Sequence, residues 1–141
     1  MEDRVSVTEQ DFIIDDIKKD IWDEKAGAVV VFNGVVRNQN KGKEIKGMEL
    51  QRYEGMTEKE LVKVRDEAIN NFKVNDIFII HRIGELSVGD NIVGIIVTAP
   101  HREEAFNACK YCIDRIKEVV PLWKKETTSE GEERWLDEIK K

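Results

Sequence analysis

Apolar residues along this chain change spacing several times, and each change marks a new element. Val5 and Val7 flank Ser6 in the two-residue period of a short opening strand. Phe12, Ile13, Ile17 and Ile21 then recur at near-helical spacing behind Thr8, a residue suited to the N-cap, and Gly27 suits the end of that helix. Residues 28–32 read Ala-Val-Val-Val-Phe; β-branched and without polar alternation, they predict a strand buried on both faces. Gly34 lies within the continuation of that run and predicts a bulge or a close approach to the backbone. Residues 37–43 contain no apolar side chain and predict a loop. Met48 and Leu50 alternate with Glu49 and Gln51 in a strand over 47–53. Thr57 and Glu60 have the spacing of a capping box, with Met56 and Leu61 placed as its hydrophobic staple. The helix they open carries Leu61, Val64, Ala68, Ile69 and Phe72 on one face.

Two more apolar strands fall at 77–83 and 92–98, with turn chemistry between them at Gly84 and at Gly89-Asp90. Ala105, Cys109, Cys112, Ile116 and Val119 stripe a helix over 100–120, and Pro121 stops it. The remainder is charged, anchored by Trp123, Trp135, Leu136 and Ile139. Interleaved strands and helices predict an α+β layer architecture, and 141 residues predict a single domain spanning 1–141.

Composition narrows the function. With 40% hydrophobic residues the chain can build a core without disulfides or a metal. A net charge of −6 argues against nucleic acid as a partner, since that would need a basic face. Apolar runs of five or six residues are far short of the ~20 that cross a bilayer. The acidic start, Met1-Glu2-Asp3-Arg4, has no apolar stretch of a signal peptide, so the expectation is a cytoplasmic protein that meets no membrane.

Four constellations carry candidate chemistry. Cys109 and Cys112 form a C-x-x-C, but mid-helix and on the apolar stripe, which predicts core thiols rather than a redox pair. Zinc would need both His81 and His101 to converge on them, so no metal is expected. His101 and Arg102 sit where an apolar strand passes into a helix, a junction receptive to anions; the same side chains could instead pair with Glu103 and Glu104. Lys117 occupies the last turn of that helix, where the dipole alone favours a cation. If the chain turns back at Pro121, however, Lys117 and Lys124 face one pocket, suited to binding phosphate or to acid–base work. Arg37 ends the Val-rich strand at a polar segment, a common setting for binding residues. P-loop, dinucleotide, zincin and serine-hydrolase motifs are missing from the sequence.

Taken in order, Phe32-Asn33-Gly34-Val35-Val36-Arg37-Asn38, Tyr53-Glu54-Gly55-Met56, His81-Arg82-Ile83-Gly84-Glu85-Leu86, Gly89-Asp90, His101-Arg102 and Pro121-Leu122-Trp123-Lys124-Lys125-Glu126 form a series. This series resembles the large, catalytic subunit of molybdopterin synthase, from about Gly27 to Trp135. The resemblance implies an α/β hammerhead-like fold with an additional antiparallel sheet. It implies a sulfurtransferase that adds two sulfurs to cyclic pyranopterin monophosphate (precursor Z), forming the dithiolene of molybdopterin. The sulfur would arrive as a thiocarboxylate on the Gly-Gly tail of a small ubiquitin-like subunit. The large chains would form a homodimer within a heterotetramer, and no cofactor is implied. Residue by residue, Lys117 and Lys124 match the catalytic lysines. Arg37, His101 and Arg102 match pterin and phosphate positions, Val35 and Val36 the strand beside the substrate, and Lys125 and Glu126 the segment around the second lysine. Lys125 replaces a more usual arginine, and Pro100 a small residue. Two other readings of the residues stand beside this one. A non-catalytic module could dock a ubiquitin-like tail without needing convergent cations, and a phosphosugar or small-anion enzyme would act without a protein partner.

Overall fold

The structure is a computed structural model, and it describes residues 4–136. The first sheet holds four strands. They are β1 (Val5–Thr8), β2 (Ala28–Val35), β5 (Asp76–Arg82) and β7 (Asn91–Ala99), in the order β1-β5-β7-β2. Only the β1–β5 pairing is parallel. Helices α2 (Met56–Asn71) and α3 (Arg102–Val119) cover one face, burying Leu61, Val64, Ala68, Ile77, Ile79, Ile95, Val97, Cys112 and Ile116 in one core. Helix α1 (Ile14–Ile21) covers the other face, setting Ile17 and Ile21 on Ile80 and Ile96. Burial of each such side chain contributes about 1.5–3 kcal/mol.

The second sheet is antiparallel throughout. Its long strand β4 (Lys43–Arg52) pairs with β8 (Leu122–Thr128) on one edge. On its other edge lie β3 (Gln39–Asn40) and β6 (Gly84–Ser87), and β9 (Glu133–Leu136) extends the sheet beyond β8. Val36, Leu50 and Leu86 join the two sheets where β2 runs into the second. The architecture is α+β with an added antiparallel sheet, as expected.

Local expectations are corrected at several places. β2 is not buried on both faces: it is the last strand of its sheet, and Val29, Val31 and Val35 remain 36%, 40% and 47% exposed. Apolar periodicity cannot distinguish a central strand from an edge whose outer face is uncovered. Gly34 does mark a bulge, with a register shift before Val35; a Cβ there would meet Val93 Cγ1 at 2.9 Å. Thr8 ends β1 and accepts a bond from the Gln10 amide, so its hydroxyl closes a turn instead of capping α1. Nor does α1 run on to Gly27; it ends at Ile21, with Trp22 as C-cap in extended backbone.

The Thr57 capping box does not form either. Gly55, at φ 81°, is the N-cap of α2, a conformation that favours glycine. Thr57 is instead fully buried, accepting a bond from Tyr53 N at 3.0 Å and donating to Pro121 O at 2.7 Å. Segment 37–43 is not simply a loop but a β-hairpin. Lys41 and Gly42, both at positive φ, form its two-residue turn between Asn40 and Lys43. Gly84, expected in a turn, opens strand β6. The charged stretch after Pro121 folds as β8 and β9, and Ile139 lies outside the described residues.

Candidate functional site

The bulge at Gly34 and the turn at Pro121 aim two separate segments into one hollow. β2 ends there, carrying Val35, Val36 and Arg37 to its rim. Helix α3 reaches the same place with its last turn, and after Pro121 the chain reverses as β8. Residues two apart on a strand share a face, so Leu122, Lys124 and Glu126 all turn toward the hollow. The resulting cleft of about 370 Å³ is lined by Arg37, Lys117, Lys124, Glu126, Asn40 and His81 over an apolar floor that includes Phe32, Met48, Ile92 and Ile116. Val36 backs this wall through its main chain. Its amide donates to Asp90 O and its carbonyl accepts from Gly89 N, which fixes where Arg37 departs.

Of the nine expected site positions, Val35, Val36, Arg37, Lys117, Lys124 and Glu126 line this cleft, whereas Lys125, His101 and Arg102 do not. Lys125 points to the other face of β8. There it pairs with Glu49 at 3.3 Å and Glu133 at 3.5 Å, and lies 5.3 Å from the ring centre of Trp135. Its bond to Glu49 holds its pKa above the ordinary lysine value. His101 and Arg102 sit at the opposite end of α3 from Lys117, both exposed. Sixteen helical residues rise about 24 Å, so one chain cannot bring these groups to a common ligand.

The cleft's charges are deliberately unequal in their freedom. Glu126 is 5% exposed and already committed. Asn40 Nδ2 donates to both its oxygens at 3.0 Å, and Arg134 reaches Oε1 through Nη2 at 3.3 Å. Among the described residues Arg37 and Lys117 pair with no carboxylate, leaving both cations open to an anionic ligand. Asn40, Arg134 and His81 were not singled out from sequence as site residues. A Gly at the second place of a two-residue turn was the available sign for the hairpin that delivers Asn40; Arg134 carried no local sign.

His81 is the next-to-last residue of β5 and is 3% exposed. Its Nδ1 lies 2.8 Å from the carbonyl oxygen of Arg82; a carbonyl only accepts, so Nδ1 carries the hydrogen. Burial lowers its pKa from 6.5 to about 4, with the Lys124 charge assisting and the bond to Arg82 opposing. The unfolded chain therefore takes up this proton first. His81 contributes its full stability above pH 6.5, and this is lost as pH falls toward about 4. Denaturant unfolding compared at about pH 7 and about pH 4.5 is expected to show His81→Asn losing on the order of 2 kcal/mol less stability than the parent chain. Equal losses in the two proteins would contradict this. Cys109 and Cys112 are buried, and burial pushes their thiols up to about 11 and about 12, so neither supplies a thiolate near neutrality.

Fold and cleft together define the class: an α+β protein whose candidate site is a cationic cleft at the junction of two sheets, with both of its cysteines buried as neutral thiols. Comparison with known proteins carries this further. The family described as MoaE protein matches residues 7–119. The chain is 41% identical over 128 residues to the molybdopterin synthase catalytic subunit of Pyrococcus abyssi, covering 91% of this chain and 86% of that one. It superposes on the crystal structure of molybdopterin synthase from Staphylococcus aureus with a TM-score of 0.87 and 37% identity, covering 93% of this chain and 95% of that one. A protein–protein complex of subunits 1 and 2 of molybdopterin-converting factor from Helicobacter pylori shares the fold, with a TM-score of 0.77, 18% identity, and coverage of 95% and 90%. This chain belongs to the MoaE family.

Proposed function

We propose that this chain is the catalytic subunit of a molybdopterin synthase. It transfers sulfur from the thiocarboxylated tail of a small ubiquitin-like subunit to cyclic pyranopterin monophosphate, in the cytoplasm. The observation that carries the reading is the convergence of Arg37, Lys117 and Lys124 on one cleft, with Glu126 neutralised beside them. Both reactants are anionic, one through its phosphate and the other through its thiocarboxylate, and acyl transfer from the tail develops a further oxyanion. Fixed cations in a partly dry cleft complement all three charges. Since the partner delivers the sulfur, the inert Cys109 and Cys112 are no obstacle. In this reading Arg37 takes the phosphate, Lys117 is the principal catalyst and Lys124 its helper. Lys125 supports the strand that carries Lys124.

His101 and Arg102 serve the site from a second copy of the chain. Strand β2 and helix α3 each span about 27 Å. Ala28, at the start of β2, pairs with Ala99, close to His101, while Val35 at its end adjoins the cleft. A copy lying antiparallel along β2 would cover Val29, Val31 and Val35 and bring its own His101 and Arg102 to the first copy's cleft. The small subunits complete a heterotetramer.

One assay addresses both statements. Purified chain, thiocarboxylated partner and pyranopterin are expected to yield a dithiolene-bearing product, and no product without the partner; product formed without it would favour a small-anion enzyme. Co-refolding Lys117→Ala with His101→Ala chains is expected to restore about a quarter of the sites, because each mixed dimer regains one intact site. No recovery in the mixture would place both groups in the service of a single chain.

A further inference from the structure

We propose that Asn40 is a positioning residue that stands between Arg37 and Glu126 and keeps the guanidinium available to the substrate's phosphate; this rests on the reading of Arg37 given above. Its side-chain amide has two unlike ends, and each meets the group that suits it. The Nδ2 end donates to Glu126 Oε1 and Oε2, both at 3.0 Å. The Oδ1 end accepts from Arg37 Nη2 at 3.4 Å. Both neighbours require the same orientation of the amide: a carboxylate cannot donate and a guanidinium cannot accept.

The consequence is electrostatic. Arg37 and Glu126 lie one amide apart on the same cleft wall, and direct contact between them would form a charge-assisted pair in competition with phosphate. The intervening amide orients Arg37 through a neutral acceptor, so its positive charge is not cancelled. Arg134 completes the arrangement from the far side. It reaches Glu126 Oε1 through Nε at 3.4 Å and Nη2 at 3.3 Å, and donates from Nη2 to the Asn40 main-chain oxygen at 3.0 Å. One arginine thus satisfies the carboxylate and anchors the backbone of the residue that shields it. The Lys41–Gly42 turn holds Asn40 from the other direction.

The test measures steady-state KM for the phosphorylated pyranopterin with the thiocarboxylated partner present. Asn40→Ala is expected to raise KM about tenfold with kcat within about twofold, as Arg37 collapses onto Glu126. Asn40→Ser, too short to bridge both groups, is expected to behave alike. Adding Glu126→Gln to Asn40→Ala removes the competing charge and is expected to recover most of the lost affinity, which simple damage to the hairpin would not allow. A wild-type KM in both Asn40 variants, or a raised KM that Glu126→Gln leaves untouched, overturns the proposal. Arg37→Ala, measured in parallel, separates the two layers. If it leaves KM unchanged, the phosphate reading fails and the positioning role with it; if it raises KM while the Asn40 variants do not, the positioning role alone fails.

Discussion

Lys117→Ala is expected to lower kcat about 10²- to 10³-fold while the protein stays folded. The size follows from where the side chain stands. Lys117 is on the last turn of α3 at the cleft, is exposed, and among the described residues makes no ion pair. Its charge is therefore not used in holding the fold, and loss of an exposed surface side chain is expected to change stability by no more than about 0.5 kcal/mol. In the proposed reaction, charge developing on the acyl oxygen of the incoming tail would lose a preorganised cation, and water could replace it only at a cost in reorganisation. Lys124→Ala is expected to have the smaller effect of the two, since β8 would still present Glu126 and leave Lys117 in place. The measurement is single-turnover dithiolene formation together with thermal unfolding. Wild-type turnover in a folded Lys117→Ala protein would remove the residue from the chemistry.

Thr57→Val is expected to destabilise the protein by roughly 2–4 kcal/mol, although valine nearly matches threonine in shape. The Thr57 hydroxyl joins the end of β4 to the Pro121 turn, accepting from Tyr53 N at 3.0 Å and donating to Pro121 O at 2.7 Å, with no solvent exposure. Valine would leave the part-buried Tyr53 amide and Pro121 carbonyl without this partner; a fully buried unpaired group costs about 1–3 kcal/mol, and the lower half of that range applies to each here. The melting temperature is expected to fall by roughly 5–12 °C. Thr57→Ser keeps the hydroxyl and is expected to recover most of the loss. Pro121 also sets the direction in which β8 leaves α3, so the valine variant is expected to lose activity even below its melting range. A Thr57→Val protein as stable as the parent would show that neither bond contributes.

The sequence made the scaffold readable where one element's own periodicity decides its fate. The stripes of α2 and α3, the apolar runs of β5 and β7, and the stop at Pro121 are local facts, and the structure follows them. Elements whose character depends on neighbours were not readable in the same way. β2 has the composition of a central strand, but among the described residues no further strand covers its outer edge. Thr57 has the spacing of a cap, yet Gly55 takes that position and the hydroxyl finds a partner 64 residues away. The charged segment after Pro121 has apolar residues only in blocks at its two ends, without strand alternation, and it becomes two strands because β4 is there to pair with. For the site, residue types and order single out Arg37, Lys117 and Lys124 together with His101 and Arg102, and the resemblance adds Glu126 and Lys125; of these, Lys125, His101 and Arg102 do not line the cleft. Pairing Glu126 with Asn40 and Arg134 required the hairpin and β9, which lie far apart in the chain.

The alternation along β8 has an evolutionary corollary. Lys124 and Lys125 are consecutive, and they face opposite sides of the sheet. A single-residue deletion upstream of them would exchange their orientations, so a positive group would still project inward, whereas Glu126 would swing away from Asn40 and Arg134 and a hydroxyl from Thr127 would take its place. Cationic character in the hollow is thus insured against frameshifts in pairing, but the anionic counterpart is not. Among descendants of this chain, indels in the stretch after Pro121 should be purged for the sake of Glu126 rather than for either lysine.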